Sequence, residues 1–207
     1  MREFPPINRE IENDALQTIF FKDGEFEGRP CRVSKTNYLA TLSLRGPEIP
    51  EEVEKLRLEL SRHSLEQLEE DIGRLYAARN WRVHLMACVA LASGFATENT
   101  IQALWQCVTL GSWVSPQLVS TAAFVDPEFS SKAAALVADH NTYYKSIAAL
   151  ADILAKEFEV IPPEGSVARQ NVVEALTIDR DNSGEIALGW LANLRKVFGL
   201  TYGPISR

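Results

Sequence analysis

Histidine and cysteine are scarce in this chain of 207 residues, with three of each. Cys31, Cys88 and Cys107 are odd in number and widely separated, so they form no paired cluster of the kind that holds structural zinc. Two of them lie inside apolar runs, which reads as free buried thiols in a reducing compartment. Long apolar runs are also missing. No stretch approaches the roughly 18 to 20 residues that a membrane span needs, and Met1-Arg2-Glu3-Phe4-Pro5-Pro6 lacks the apolar segment of a signal peptide. The expected location is therefore cytoplasmic, without a membrane partner. Basic residues are in deficit, 21 against 28 acidic ones, for a net charge of −7. That balance disfavours phosphate backbones, so no nucleic-acid partner is expected, and it suits either a basic protein partner or solubility alone. A glycine-rich phosphate cradle, a nucleophile elbow and a zinc-metalloprotease helix are all absent, and carboxylates pair only in surface runs. No catalytic residue and no cofactor is nominated.

What is present is helical. Apolar residues at 46% and charged residues at 24% fit a folded domain with a continuous core. Residues 1–50 differ from the rest, holding five of the ten prolines, and are expected to be a less regular segment packed on a helical body at 51–199, with a tail at 200–207. Within the first segment a helix over Ile11 to Phe21 is preferred, a strand from Thr18 to Phe21 being the alternative, and Asp23-Gly24 suits a tight turn. Arg32 to Leu44 fits either an extended stretch or a short helix. From Glu51 the helical spacing is firm. Val53, Leu56 and Leu60 share one face, and Ser64 with Gln67 has the form of a capping box opening a helix with Leu68, Ile72 and Leu75 inside. Helices follow near 81–93, 98–111, 116–125 and 127–139. Ser115-Pro116 and Asp126-Pro127 each pair a capping residue with a proline suited to a helix start. A longer helix spans Asn141 to Phe158 with Ile147, Leu150, Ile153, Leu154 and Phe158 on its buried stripe, and two more lie at 166–177 and 185–198.

The prediction is an all-α protein of eight to ten helices stacked as antiparallel hairpins. Trp81-Arg82-Val83 followed by Ala87, Ala90 and Leu91 resembles the second-helix pattern of HEAT-like repeats. Asp126-Pro127-Glu128-Phe129 followed by Lys132, Ala133 and Leu136 is similar to a second copy. The resemblance covers about residues 80–138 and implies a curved helical stack that binds macromolecules through a concave face.

Four groups of residues are candidate sites. Glu66, Glu69, Glu70 and Asp71 crowd the outer side of one helix as an acidic face, which is either merely solvated or a docking surface. Trp113 sits at a helix junction, where it either plugs the gap between helix ends or anchors a partner. Asp179-Arg180-Asp181-Asn182-Ser183-Gly184-Glu185-Ile186 resembles the start of an EF-hand calcium loop, with Asp179, Asp181, Ser183 and Glu185 as metal-site candidates. Trp190 stands where a closing glutamate belongs, and a polar turn that caps the next helix, with Gly184 at positive φ, accounts equally for the residues. His84 lies four residues before Cys88, a spacing open to a two-point metal grip or to a core histidine bonded to a carbonyl. His140 and Tyr143 complete the weakest set. The function these features suggest is a non-catalytic acidic binding protein, for example a bacterial immunity or inhibitor protein that neutralises a basic partner. The rival is a metal- or small-ligand-dependent protein using the Asp179 loop or a pocket between helices.

Overall fold

The computed structural model describes Phe4 and residues 6–199; the expected tail at 200–207 lies outside the described residues. The described chain is mostly helical, with one small two-stranded sheet near its N-terminus. The order is α1 (Arg9–Ala15), β1 (Phe21–Phe26), β2 (Arg29–Ser34), α2 (Tyr38–Thr41), α3 (Ile49–Leu60), α4 (Leu65–Ala77) and α5 (Trp81–Ala90). A π-helical turn (Leu91–Phe95) continues α5, followed by α6 (Glu98–Leu110), α7 (Ser115–Val125), α8 (Phe129–Ala138), α9 (Tyr144–Glu157), α10 (Val167–Ile178) and α11 (Ser183–Phe198).

Three helices form a central row. Every residue from Val83 to Ala90 of α5, from Ser115 to Ala122 of α7, and from Lys145 to Ala151 of α9 is buried. A helix apolar all round has no face to give to water, so it needs neighbours on every side. They come from two layers. On one side α4 packs on α5, α6 on α7, and α8 and α10 on α9, with α4 against α6 and α8 against α10. On the other, α2 and α3 cover α5, while α11 packs against both α7 and α9. The largest wholly buried side chains include Tyr76, Phe20, Phe129, Phe198 and Leu104.

The N-terminal segment differs from its expectation. The helix ends at Ala15, and Phe21 begins a hairpin in which Phe26 faces Arg29. The tight turn is therefore Glu27-Gly28, with φ of 51° and 76°, the two positive values a two-residue hairpin turn requires. Asp23-Gly24 lies inside β1, where Gly24 is required for space, because a Cβ there would stand 2.8 Å from the Val33 side chain. Three smaller corrections concern helix ends. Ser115 does not cap α7 but is its first residue, because its hydroxyl accepts the N–H of Ser112 in the preceding turn. Phe158 falls beyond α9 and is 40% exposed, and α8 begins at Phe129, with Pro127 in the preceding turn. The Asp126 carboxylate accepts the Glu128 N–H at 2.9 Å and so caps that turn.

His84 is the polar centre of the row, wholly buried. Its Nε2 lies 3.0 Å from the Ala78 carbonyl, which can only accept, so Nε2 carries the proton and Nδ1 accepts from the Ser112 hydroxyl at 2.8 Å. Its sulfur neighbour is Cys107 rather than Cys88, and burial raises both thiols, Cys88 to about 12. Burial also lowers His84 from 6.5 to about 4. The unfolded chain takes up this proton near pH 6.5 and the folded chain only near 4, so the group costs nothing above pH 6.5 and destabilises the fold as pH falls between those values, by about 3 kcal/mol at most. Urea unfolding measured from pH 7.5 to 4.5 is expected to show this decline. In His84→Gln, stability at pH 7 is expected to be lower and the slope between pH 6.5 and 5 lost; an unchanged slope would assign it to other groups.

Candidate functional site

Trp113 is delivered to the surface by a tight turn. The α6 helix ends at Gly111, with φ of 92°, where a Cβ would lie 2.3 Å from the Tyr143 ring. Only glycine tolerates both the conformation and the approach. Beyond it Ser112 and Val114 are buried, with the Ser112 N–H donating to Ser115 Oγ at 2.9 Å and the Val114 N–H to Ser112 Oγ at 3.2 Å. The residue between them points outward, leaving Trp113 55% exposed.

Its ring lies 4.9 Å from that of Trp81, and Trp81 meets Tyr38 edge-on at 6.0 Å. Arg82 donates from Nε to the Tyr38 hydroxyl at 3.1 Å and holds its guanidinium 4.7 Å from the centre of the Trp81 ring. Leu39, beside Tyr38, is 58% exposed. The patch is fixed from below. Asn80 Oδ1 caps α5 through the Arg82 N–H at 3.2 Å, and the Glu12 carboxylate accepts the Arg79 and Asn80 N–H groups. Three aromatic rings and an arginine, held by the scaffold with one tryptophan half in water, are the residue types that carry most binding energy at protein interfaces. Such a group lowers the entropy cost of docking because its rings are already oriented.

The acidic face is only partly as expected. Asp71 is 1% exposed, a correction, because its carboxylate turns inward to accept the Ile19 N–H at 2.8 Å and so ties the N-terminal segment to α4. Glu66 is exposed, Glu70 pairs with Arg74, and Glu69 accepts from Asn99 Nδ2 at 2.9 Å at the start of α6. Trp113 follows the other end of α6, a helix of 13 residues and so about 20 Å long. Acidic cluster and aromatic patch are therefore separate surfaces.

A groove runs between α6 and α8, with a volume of about 1200 Å³. Ile101, Trp105, Val125 and Leu136 supply apolar lining, and Glu98, Asp126, Glu128 and Lys132 supply charge. Asp126 is its fixed point, accepting from Trp105 Nε1 at 2.6 Å and from Lys132 Nζ at 3.0 Å. Burial pushes the Asp126 carboxyl up, but these bonds and that from the Glu128 N–H outweigh it and hold the group below its ordinary value. The floor is braced by Phe129, whose ring is 5.7 Å from Trp105 and stacked 5.3 Å from Phe158. Sequence reasoning missed this groove. Nothing in the order of residues tells how far apart α6 and α8 stand.

The Asp179 loop is a helix cap. Asp179 accepts from the Ser183 N–H at 2.7 Å and the Ser183 hydroxyl at 3.0 Å, and Ser183 is wholly buried. Positive φ falls on Asn182, at 56°, and not on Gly184. Gly184 lies within α11 because that helix crosses α9 closely, a Cβ there falling 1.9 Å from Asp152 Oδ2. Asp181 pairs with Lys145, whose side chain is 8% exposed, so an ammonium already stands where a cation would bind; Glu185 points outward, exposed. Among the described residues no group of three His, Cys, Asp or Glu could hold a metal ion. His140 and Tyr143 do not gather with His84. His140 faces Asn171 of α10 at 3.4 Å, and the Tyr143 ring meets that of Tyr144 at a tilt of 54° with ring centres 4.7 Å apart.

Compared with protein-family models, curated proteins and solved structures, the chain matches none of them. Among the described residues no helix is long and apolar enough to cross a membrane. Because Lys145 occupies the Asp181 carboxylate, millimolar calcium is expected to leave the melting temperature unchanged. A midpoint that climbs with calcium concentration would reinstate the loop as a cation site.

Proposed function

We propose that this chain is a non-catalytic helical binding protein that docks a protein partner through the Trp113 patch. The observation that carries the reading is a tryptophan 55% exposed against a second tryptophan, beside an arginine held on tyrosine and tryptophan rings. Large rings left in water at a rigid site cost solubility, and burial under a partner recovers that cost. The net charge of −7 favours a partner with a basic surface, since complementary charge speeds encounter. An immunity or inhibitor protein that neutralises a basic enzyme or toxin is one concrete form. Rows of alternate helices, as in the HEAT-like repeats that residues 80–138 resemble, suit a scaffold that presents such a surface.

Trp113→Ala removes the anchor without touching the buried turn, so the fold is expected to survive with the loss of about 1 kcal/mol that its ring contact with Trp81 supplies. Quantitative capture from lysate of the source cells, with wild type and variant as baits, is expected to recover one basic protein with the wild type. Recovery should fall at least tenfold with Trp113→Ala, and equal recovery on both baits would remove the patch from the interface. Glu66→Lys with Glu69→Lys and Glu70→Lys is expected to reduce the salt dependence of association without abolishing it.

A further inference from the structure

We propose that the groove between α6 and α8 is a second docking site, which receives a basic amphipathic helix of a protein partner. The groove lies in the outer layer of the fold. There α4 packs on α6 and α8 on α10, while α6 and α8 part to leave the groove, whose floor is the α7–α8 junction and the Trp105 ring. The gap therefore lies in a row of helices, at a position that one more helix would fill. A helix core about 10 Å across rises about 1.5 Å per residue, so the volume of about 1200 Å³ takes roughly ten residues, or nearly three turns.

The lining selects the face of that helix. Ile101, Trp105, Val125, Pro127 and Leu136 give an apolar stripe for residues spaced i, i+3, i+4 and i+7. The charge selects its flanks. Of the lining residues Glu98 and Glu128 present exposed carboxylates, Asp126 is buried, and Lys132, the one basic side chain of the lining, is shared between Asp126 and Glu128, each at 3.0 Å. The acidic surface continues past the rim. Glu69 of α4 reaches Asn99, next to Glu98, and its carboxyl is lowered by bonds from Thr97 and Asn99. The acidic face of α4 thus belongs with this groove, and lysines or arginines flanking the apolar stripe of the incoming helix meet it. The site does not depend on the Trp113 patch. Its lining runs along α6 from Ala96 to Thr109 and across the α7–α8 junction to Leu136, and includes none of Tyr38, Trp81, Arg82 or Trp113.

The probe is an 18-residue peptide of leucine and lysine patterned as an amphipathic helix, labelled with fluorescein and followed by anisotropy at about 150 mM salt. A glutamate-for-lysine version and a scrambled leucine–lysine version of equal composition serve as comparisons. The lysine helix is expected to bind the full chain saturably, with the other two at least tenfold weaker. Ala135→Trp, which fills the groove from the exposed side of α8, is expected to weaken binding at least tenfold, as is Glu98→Lys with Glu128→Lys, while Trp113→Ala leaves it unchanged. If Ala135→Trp alters the circular dichroism or melting, Gln102→Trp on the exposed side of α6 replaces it. Absence of binding, equal binding of the scrambled peptide, or full binding by the filled variant would each overturn the proposal. Loss on Trp113→Ala with retention on Ala135→Trp would move the peptide to the aromatic patch.

Discussion

The fold depends on keeping α5, α7 and α9 out of water on every side. Alanine, serine and threonine alternate with larger apolar residues in these helices, so neighbouring backbones approach closely. That closeness leaves no water to satisfy hydroxyls, and each must find an acceptor inside the protein. Ser93 bonds the Val89 carbonyl at 2.7 Å and Thr121 that of Gln117 at 2.8 Å, each one turn back along its own helix. Others reach across layers. Ser120 lies 2.7 Å from the Ala187 carbonyl of α11, and Ser146 donates to the Val108 carbonyl of α6 at 2.7 Å. The row is thereby registered against its neighbours by directional bonds as well as by packing.

The irregular first segment is fixed by a different device. Phe20, Leu44 and Ile49 bury it in the core, and carboxylates add directional attachments. Asp71 of α4 receives the Ile19 N–H, Glu52 of α3 receives the Asn37 N–H, and Glu12 of α1 receives two N–H groups ahead of α5. A charged acceptor on a backbone donor is a stronger bond than a neutral one, so a few of them hold a short hairpin and a single-turn helix in place. Tyr38 depends on that attachment, and with it the edge of the aromatic patch.

Legibility in the sequence followed the range of the physics involved. The helices near 81, 98, 116 and 144 could be read because caps, prolines and 3.6-residue spacing act within a few residues of each other. The capped turn at Asp179 was readable on the same grounds. Misreadings occurred where a distant group decides. Asp71 looks like its solvated neighbours until Ile19, 52 residues away, presents its N–H. Gly24 resembles a turn glycine until Val33 stands over it, and Gly184 until Asp152 does. The sequence allowed Trp113 either fate, since exposure rests on whether Ser112 and Val114 both turn inward. The groove had no local signature at all, being a distance between helices.

The crossing of α11 over α7 and α9 has a bearing on how the chain comes to be folded. Synthesis proceeds from the N-terminus, so α7 and α9 leave the ribosome before the helix that shields them has been made. Trp190 donates to the Thr41 carbonyl and Asn193 to that of Ser43 across separations of 149 and 150 residues. Closing contacts of such span are slow, and they come after the apolar row has already been in water. The nascent chain therefore carries an uncovered alanine-rich surface from the synthesis of α7 at Ser115–Val125 until that of α11 at Ser183–Phe198. Until α11 closes over the row, that surface is open to association with other chains, a hazard that the finished fold no longer shows.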